Sequence, residues 1–526
     1  MEMMKIMLKP TVSLLGGLLL AGLCSCSNLL DELPDERVYL DTPEKIQMHL
    51  TQAYPEASFA TLGEFSSDNI DDYGTDNPNF SNFEQDIVYW LDGQEYGASD
   101  GLRSMWNKYY AAVQSANTAL AAINDLGGGA TLNPHKGEAL MIRAYAHFVL
   151  VNLFARHYNA ETSATDLGVP YVLEPEVLLN PSYQRNTVKE VYELIDKDIT
   201  EALPLIDDNY YKEKAYHFNK DAAEAFAARF YLYYEKWAKA IEHADKVLQN
   251  KTPRRWSDFQ DETVVGAKTE DAYAKLYSRS NQTANLLILP VVSSSQDRFS
   301  YVKNHRFSMT HRSANELFLG DNIWAESKSK YEDYQQEPFI SPIYNYKDVV
   351  YQAKYPIYPS NGNRTLSIPF TAEETLLVRA EAKVLNADLA GAVADLNTWT
   401  QAYLKTKKKV FTQDEIVAFW KAMSYSTEEV PTMKKKLNPS FAIPEGEASE
   451  MVLHQVLQCR RIATAFEGLR WFDIRRYGIT VHRYVHDRRD REKVSVVKTL
   501  TKDNPHTTFQ IPQNTLNAGL TPNSPR

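Results

Sequence analysis

Asn219-Lys220-Asp221-Ala222-Ala223-Glu224-Ala225-Phe226-Ala227-Ala228-Arg229-Phe230-Tyr231-Leu232-Tyr233-Tyr234 runs almost directly into Trp237-Ala238-Lys239-Ala240-Ile241-Glu242-His243-Ala244-Asp245-Lys246-Val247-Leu248. Asn219 is suited to cap a helix whose apolar edge is Ala222, Ala223, Phe226, Ala227, Phe230 and Tyr233 or Tyr234. Trp237, Ala240, Ile241, Ala244 and Leu248 carry the same periodicity through a partner helix. Small residues at each turn let two backbones approach closely, and the aromatic rings fill the grooves between neighbouring pairs. This alternation predicts tetratricopeptide-like packing, although no strict repeat of about 34 residues is visible.

The same signals recur outward in both directions. Thr42 with Pro43 opens a helix edged by Ile46, Leu50 and Tyr54. Trp106, Tyr109 or Tyr110, Val113, Ala116 or Asn117, Leu120 and Ile123 form a helix that Gly127-Gly128-Gly129 stops, and a second follows from about His135 to Leu153. Thr187 with Glu190, Thr371 with Glu374 and Thr412 with Glu415 are capping boxes in front of apolar runs. Asp388 to Trp399 is the antiparallel partner of the helix from Thr371, and a long helix is expected from about Glu447 to Phe466. Fold class is therefore mainly α: a helical scaffold over about 41–58, 102–250 and 371–480, with the whole of 41–526 as a single domain.

Two segments break the pattern. In 59–101, Phe59, Phe65, Tyr73, Phe80, Phe83, Tyr89, Trp90 and Tyr96 interleave with Asp68, Asn69, Asp71, Asp72, Asp76, Asn77, Asn79, Asn82, Asp86 and Asp92. In 251–370 prolines, glycines and many aromatic residues surround short apolar runs such as Leu286 to Val292. Long irregular segments in a compact domain usually carry function. Rings that stack on the apolar face of a sugar, beside carboxylates and amides that hydrogen-bond its hydroxyls, are what a binding surface needs. The same oxygens could surround a structural calcium ion, although there is no contiguous EF-hand loop.

Composition narrows the classes. At 526 residues, 44% hydrophobic and 24% charged, the chain is an ordinary folded protein, and its formal net charge of -11 argues against nucleic acid as a partner. Thirty-two tyrosines beside 21 phenylalanines favour half-exposed ring positions. Met1 to Lys9 followed by the apolar stretch Val12 to Leu23 is too short to span a membrane comfortably and predicts an export signal over 1–25. Cys24 and Cys26 end that stretch, and 26–40 is an acidic tether. With Cys459 as the other cysteine, no disulfide framework is expected.

Catalytic motifs fail on context. Gly97-Ala98-Ser99-Asp100-Gly101 matches a nucleophile elbow literally, but the lead-in Leu91-Asp92-Gly93-Gln94-Glu95-Tyr96 is too polar for the buried strand such an elbow requires. Gly127-Gly128-Gly129 lacks the lysine and hydroxyl residue of a phosphate loop. His482 and His486 are spaced for one helix face, yet Arg483, Arg488, Arg489 and Arg491 would repel a cation, so a solvated charged loop is expected there. No enzyme and no cofactor are expected.

Cys26-Ser27-Asn28-Leu29-Leu30-Asp31-Glu32-Leu33-Pro34, Gly137-Glu138-Ala139 leading to Arg143-Ala144, Gly168-Val169-Pro170, Arg379-Ala380-Glu381-Ala382 and above all Arg460-Arg461, Phe466-Glu467-Gly468 and Arg470-Trp471-Phe472-Asp473-Ile474-Arg475-Arg476 together resemble the SusD/RagB family of outer-membrane nutrient-binding lipoproteins. Leu23-Cys24-Ser25-Cys26 resembles a lipobox, which makes Cys26 the lipidation site. Cys459 and Ala463 depart from the family, which usually has Glu around the paired arginines. The resemblance implies a lipid anchor in the outer membrane facing the cell exterior, an oligo- or polysaccharide ligand, and delivery to a SusC-like TonB-dependent transporter. Capture of peptide or another polymer by the same scaffold is the alternative, and a surface glycoside hydrolase the next. It also implies that Arg460, Arg461, Glu467, Arg470, Trp471, Asp473 and Arg475 are scaffold. Ligand contacts fall to the irregular segments, where the candidates are Asp68, Asn69, Tyr73, Trp90, Tyr96, Tyr301 and Trp324.

Overall fold

The computed structural model describes residues 39–93, 97–176, 183–255, 258, 270–294, 299, 305–324, 354–356, 364–404, 409–487 and 494–524. The export signal, Cys26, Tyr96 and Tyr301 lie outside these. In chain order the helices that matter are α1 (Pro43–Thr51), α2 (Ala60–Ser66), α3 (Asn82–Val88), α4 (Leu102–Asp125), α5 (Asn133–Phe154), α6 (Val188–Ala202), α7 (Lys220–Tyr233), α8 (Trp237–Leu248), α9 (Glu270–Tyr277), α10 (Ala372–Leu385), α11 (Leu389–Tyr403), α12 (Gln413–Ala422), α13 (Ala448–Ala463), α14 (Leu469–Arg476) and α15 (Gln513–Asn517). The strands are β1 (Asp71–Asp72), β2 (Asn285–Val292), β3 (Phe307–Ser308), β4 (Arg364–Thr371), β5 (Val481–His486) and β6 (Val494–Leu500).

The helix pairs form as their sequence dictates. The Asn219 carboxamide accepts from Ala222 N–H at the start of α7, and both halves of the Thr187/Glu190 and Thr412/Glu415 boxes are present. α4 packs on α5, α7 on α8, α8 on α10 and α10 on α11, giving a stacked series of pairs. Ala222, Ala223, Ala227, Ala240 and Ala244 are fully buried where α7 and α8 meet. Phe226 and Phe148 fill the space beside them, with centroids 5.6 Å apart. One expected box is only half made. Thr371 accepts from Glu374 N–H at 3.2 Å, but the Glu374 carboxylate pairs with the buried Arg229 at 3.1 Å, because an unpartnered buried guanidinium would be far less favourable than an open helix end.

The insertion contributes short strands, as its apolar runs allow: β2 pairs antiparallel with β4. Two features differ from the sequence reading. The segment 59–101 is less irregular than its periodicity suggests, since it contains α2 and α3. The described residues of the charged region after residue 480 are not helical: 481–486 and 494–500 pair antiparallel as β5 and β6 in a sheet ordered β3-β1-β5-β6. His482 bonds Thr499 at 2.9 Å and His486 bonds Asp71 at 3.3 Å. Among the described residues no group of three His, Cys, Asp or Glu side chains is placed to hold a metal ion, and no helix is long and apolar enough to cross a membrane.

The paired-arginine region is the knot of the fold. Arg460, fully buried on α13, meets Glu381 at 3.1 Å and Asp473 at 3.4 Å. Arg476 closes the same cluster on Glu381 at 2.6 Å. Arg475 donates to the backbone carbonyls of Asn152 and Ala155 at the end of α5, and Trp471 is fully buried beside them. Cys459 lies in this core, and burial pushes its thiol up to about 12, so it is an inert apolar filler.

Candidate functional site

Residues 59–101 do gather polar groups, but most of their acidic side chains face inward. Asp68 receives two bonds from Arg470, each 2.8 Å, and lies 3.5 Å from Arg461. Burial pushes its carboxyl up, yet the two guanidiniums more than offset this and hold it well below the usual carboxylate range. Asn69, fully buried, donates to Glu64 at 2.9 Å and accepts from Arg461 at 2.9 Å. Asp71 pairs with Arg312 at 2.8 Å and Asp72 with Arg306 at 2.7 Å. The acidic string thus stitches β1 to the insertion and to α13 and α14.

The candidate contact residues therefore separate. Asp68 and Asn69 are committed to arginines inside the protein, which corrects their reading as ligand contacts. Trp90 is likewise buried: its indole N–H donates to the Ser66 carbonyl at 3.0 Å, and Arg483 lies over its ring at 4.8 Å. Tyr73 is half-buried, with its ring 5.8 Å from His486. Trp324 is half-buried on α11, 6.1 Å from both Trp399 and Tyr403. The structure does not bring these residues to one surface.

What the segment does build is a cleft of about 210 Å³ lined by Thr61, Ser81, Asn82, Phe83, Glu84, Ala98, Asp100 and Ser294. Its walls are fixed by local chemistry. Ser81 Oγ accepts from Glu84 N–H at 3.2 Å while the Glu84 carboxylate accepts from Ser81 N–H at 2.9 Å, a complete capping box that starts α3 and holds Asn82 and Phe83 at the rim. Asp100 Oδ2 accepts from Ser294 N–H at 2.9 Å and Ser294 Oγ–H at 2.7 Å, tying the loop before α4 to the end of β2. Asn82 is exposed and Phe83 half-buried, so an amide and a ring face the opening. The signal Ser81-x-x-Glu84 was available in the sequence; the partner Ser294, far along the chain, was not.

The elbow-like Ser99 sits in the loop before α4, whose N-cap is Gly101. The described residues before it, 91–93 and 97–98, form no strand of the kind a nucleophile elbow requires.

Fold and cleft together define a protein of stacked helix pairs whose loops and insertion enclose a surface cleft. The family described as SusD-like, "Starch-binding associating with outer membrane", matches residues 28–232. SusD-like protein P2 of Formosa agariphila is 24% identical over 423 residues, covering 72% of each chain. Among solved structures, a SusD superfamily protein from Bacteroides thetaiotaomicron superposes with a TM-score of 0.64 at 16% identity, covering 92% of this chain and 99% of that one. A SusD-like carbohydrate binding protein from Bacteroides vulgatus does so with a TM-score of 0.55 at 16% identity, covering 90% and 96%. By sequence the match to the SusD-like family is confined to residues 28–232, and over nearly its whole length the chain shares the fold of the SusD superfamily structures.

Proposed function

We propose that this chain binds oligo- or polysaccharide at the outer face of the outer membrane, anchored through lipidated Cys26, and passes it to a SusC-like TonB-dependent transporter. The observation that carries the binding step is the first cleft, where the exposed Asn82 amide and the half-buried Phe83 ring stand at the opening and the Ser81–Glu84 and Asp100–Ser294 bonds hold the walls behind them. Such a set recognises a neutral, hydroxylated ligand. The family relation and the carbohydrate-binding name of one structural neighbour point the same way. Tethering beside the transporter raises the local concentration of captured ligand, so modest affinity suffices. The chain acts as a binder and not as an enzyme.

Calorimetry of the mature chain against a polysaccharide panel, with the length of the recovered oligomer checked afterwards, tests this. Saturable binding with unchanged chain length is expected. Shortened products would sink the non-enzymatic reading, and saturable binding of peptides with none of glycans would sink the ligand class.

A further inference from the structure

A second cleft, of about 410 Å³, lies along the N-terminal half of α4. Its floor runs along that helix through Trp106, Asn107, Tyr110, Ala111 and Gln114, one wall is Pro170, Val172, Glu176 and Tyr183, and the other is Thr515 and Ala518 of the α15 region with Leu520. Residues 106 to 114 make a trough about 12 Å long at the helical rise, and the volume is within the range of small-molecule sites of roughly 300–1,000 Å³.

The wall is held by specific bonds. Tyr110 donates its hydroxyl proton to the Pro170 carbonyl at 2.8 Å, and Glu176 N–H donates to Gln114 Oε1 at 2.8 Å. Behind it His147 stacks on Tyr171 at 3.8 Å and accepts from Val172 N–H at 3.1 Å through Nε2. These bonds fix the Pro170, Val172 and Glu176 part of the wall against α4 and α5.

We infer that this trough is a second saccharide subsite, taking a short neutral oligosaccharide segment; the inference rests on the glycan reading above. Three observations select that chemistry. Rings line it from two sides, with Trp106 and Tyr110 packed 4.9 Å apart in the floor and Tyr183 standing 37% exposed at the edge, as stacking on a pyranose face requires. The polar lining of Asn107, Gln114, Glu176 and Thr515 both donates and accepts, which suits hydroxyls. No lysine or arginine is among the described lining residues, and the neighbouring Arg185 is spent on the carbonyls of Gly168, Leu167 and Thr521 and on the Asn523 amide oxygen. An anionic ligand would meet Glu176 with no cation to receive it.

The test is titration of the full mature chain with maltotriose, cellotriose, xylotriose and mannotriose, on wild type, Tyr183→Ala, Tyr183→Trp, Asn107→Ala and, in the first cleft, Phe83→Ala, with melting temperature measured for each. Two classes of site are expected for at least one trisaccharide. Tyr183→Ala and Asn107→Ala should weaken one class tenfold or more, Tyr183→Trp should retain it, and Phe83→Ala should affect only the other. One class, abolished by Phe83→Ala and untouched by Tyr183→Ala, overturns the second subsite and leaves the glycan reading standing. A class that depends on Tyr183 alone supports the trough and removes the first cleft. Binding of the tripeptide Gly-Trp-Gly that depends on Tyr183, with no trisaccharide bound, overturns the ligand class, and no binding of any trisaccharide overturns both.

Discussion

Arg470 meets Asp68 through two parallel bonds, Nε to Oδ1 and Nη2 to Oδ2, both 2.8 Å, with both side chains buried. The contact spans most of the chain and locks α14 against the turn after α2. Removing the carboxylate would leave two guanidiniums, Arg470 and Arg461, facing each other without their shared counter-charge. Asp68→Ala is expected to lower stability by about 3–5 kcal/mol. Denaturant unfolding of the purified chain checks this; a loss under 1 kcal/mol together with lost ligand binding would instead make Asp68 a contact residue.

Gly63 and Gly468 touch backbone to backbone. A Cβ on Gly63 would stand 2.3 Å from the Gly468 carbonyl oxygen, and Gly468 itself has φ +80. Its N–H donates to Glu64 at 3.0 Å. Gly63→Ala must push α2 and α14 apart, so a loss at or above the upper end of the usual overpacking range of about 1–3 kcal/mol is expected. Gly127→Ala, where nothing lies within 4 Å and only the positive φ resists, should lose less. Equal melting temperatures for the two variants would contradict the close approach.

These two contacts show what a sequence can and cannot disclose. The helix pairs were legible because caps and apolar periodicity act within a few residues: Asn219, Thr187 and Thr412 each start the helix expected of them. The roles of Asp68, Asn69 and Trp90 were not. An aspartate among aromatics reads alike whether it faces a sugar or an arginine, and the deciding partners, Arg306, Arg312, Arg461, Arg470 and Arg483, lie hundreds of residues away. The β5–β6 hairpin was hidden for a related reason. Its exposed strand β6 and its many basic residues imitate a solvated loop, while β5 is held by pairing with β1.

Glu64 gives a pH-dependent term. Burial pushes its carboxyl up to about 7, only partly opposed by bonds from Asn69 and Gly468. The folded chain therefore binds more protons than the unfolded chain between about pH 4.5 and 7, and this group's contribution to stability falls as pH rises through that window, by an amount on the order of 3 kcal/mol. His147, which burial pushes down to about 3, works in the opposite direction, since its folded state binds fewer protons than the unfolded chain up to about pH 6.5. The informative quantity is thus a difference. Wild-type stability minus that of Glu64→Gln, measured by urea unfolding from pH 5 to 8, should decline with rising pH; a flat difference would mean that Glu64 is charged in the fold.

The last prediction separates ring from ring. Phe83 stands half-buried at the rim of the first cleft, beside the exposed Asn82, whereas Trp90 is in the core with its indole N–H committed to Ser66. Phe83→Ala removes a stacking face but little core volume, so glycan affinity should fall by about 1–3 kcal/mol with a nearly unchanged melting temperature. Trp90→Ala should do the reverse, costing about 3–5 kcal/mol of stability through the cavity it leaves, and should change affinity only as far as the fold loosens. Trp324, resting half-buried on Trp399 and Tyr403, lies between these cases. Its substitution should lower the melting temperature modestly, and it weakens binding only if the ligand reaches α11. Parallel calorimetry and thermal melts on the three variants resolve this. Should Trp90→Ala abolish binding in a chain that melts like wild type, the contact surface must lie deeper than the cleft at Phe83, and Trp90 must turn outward when ligand arrives.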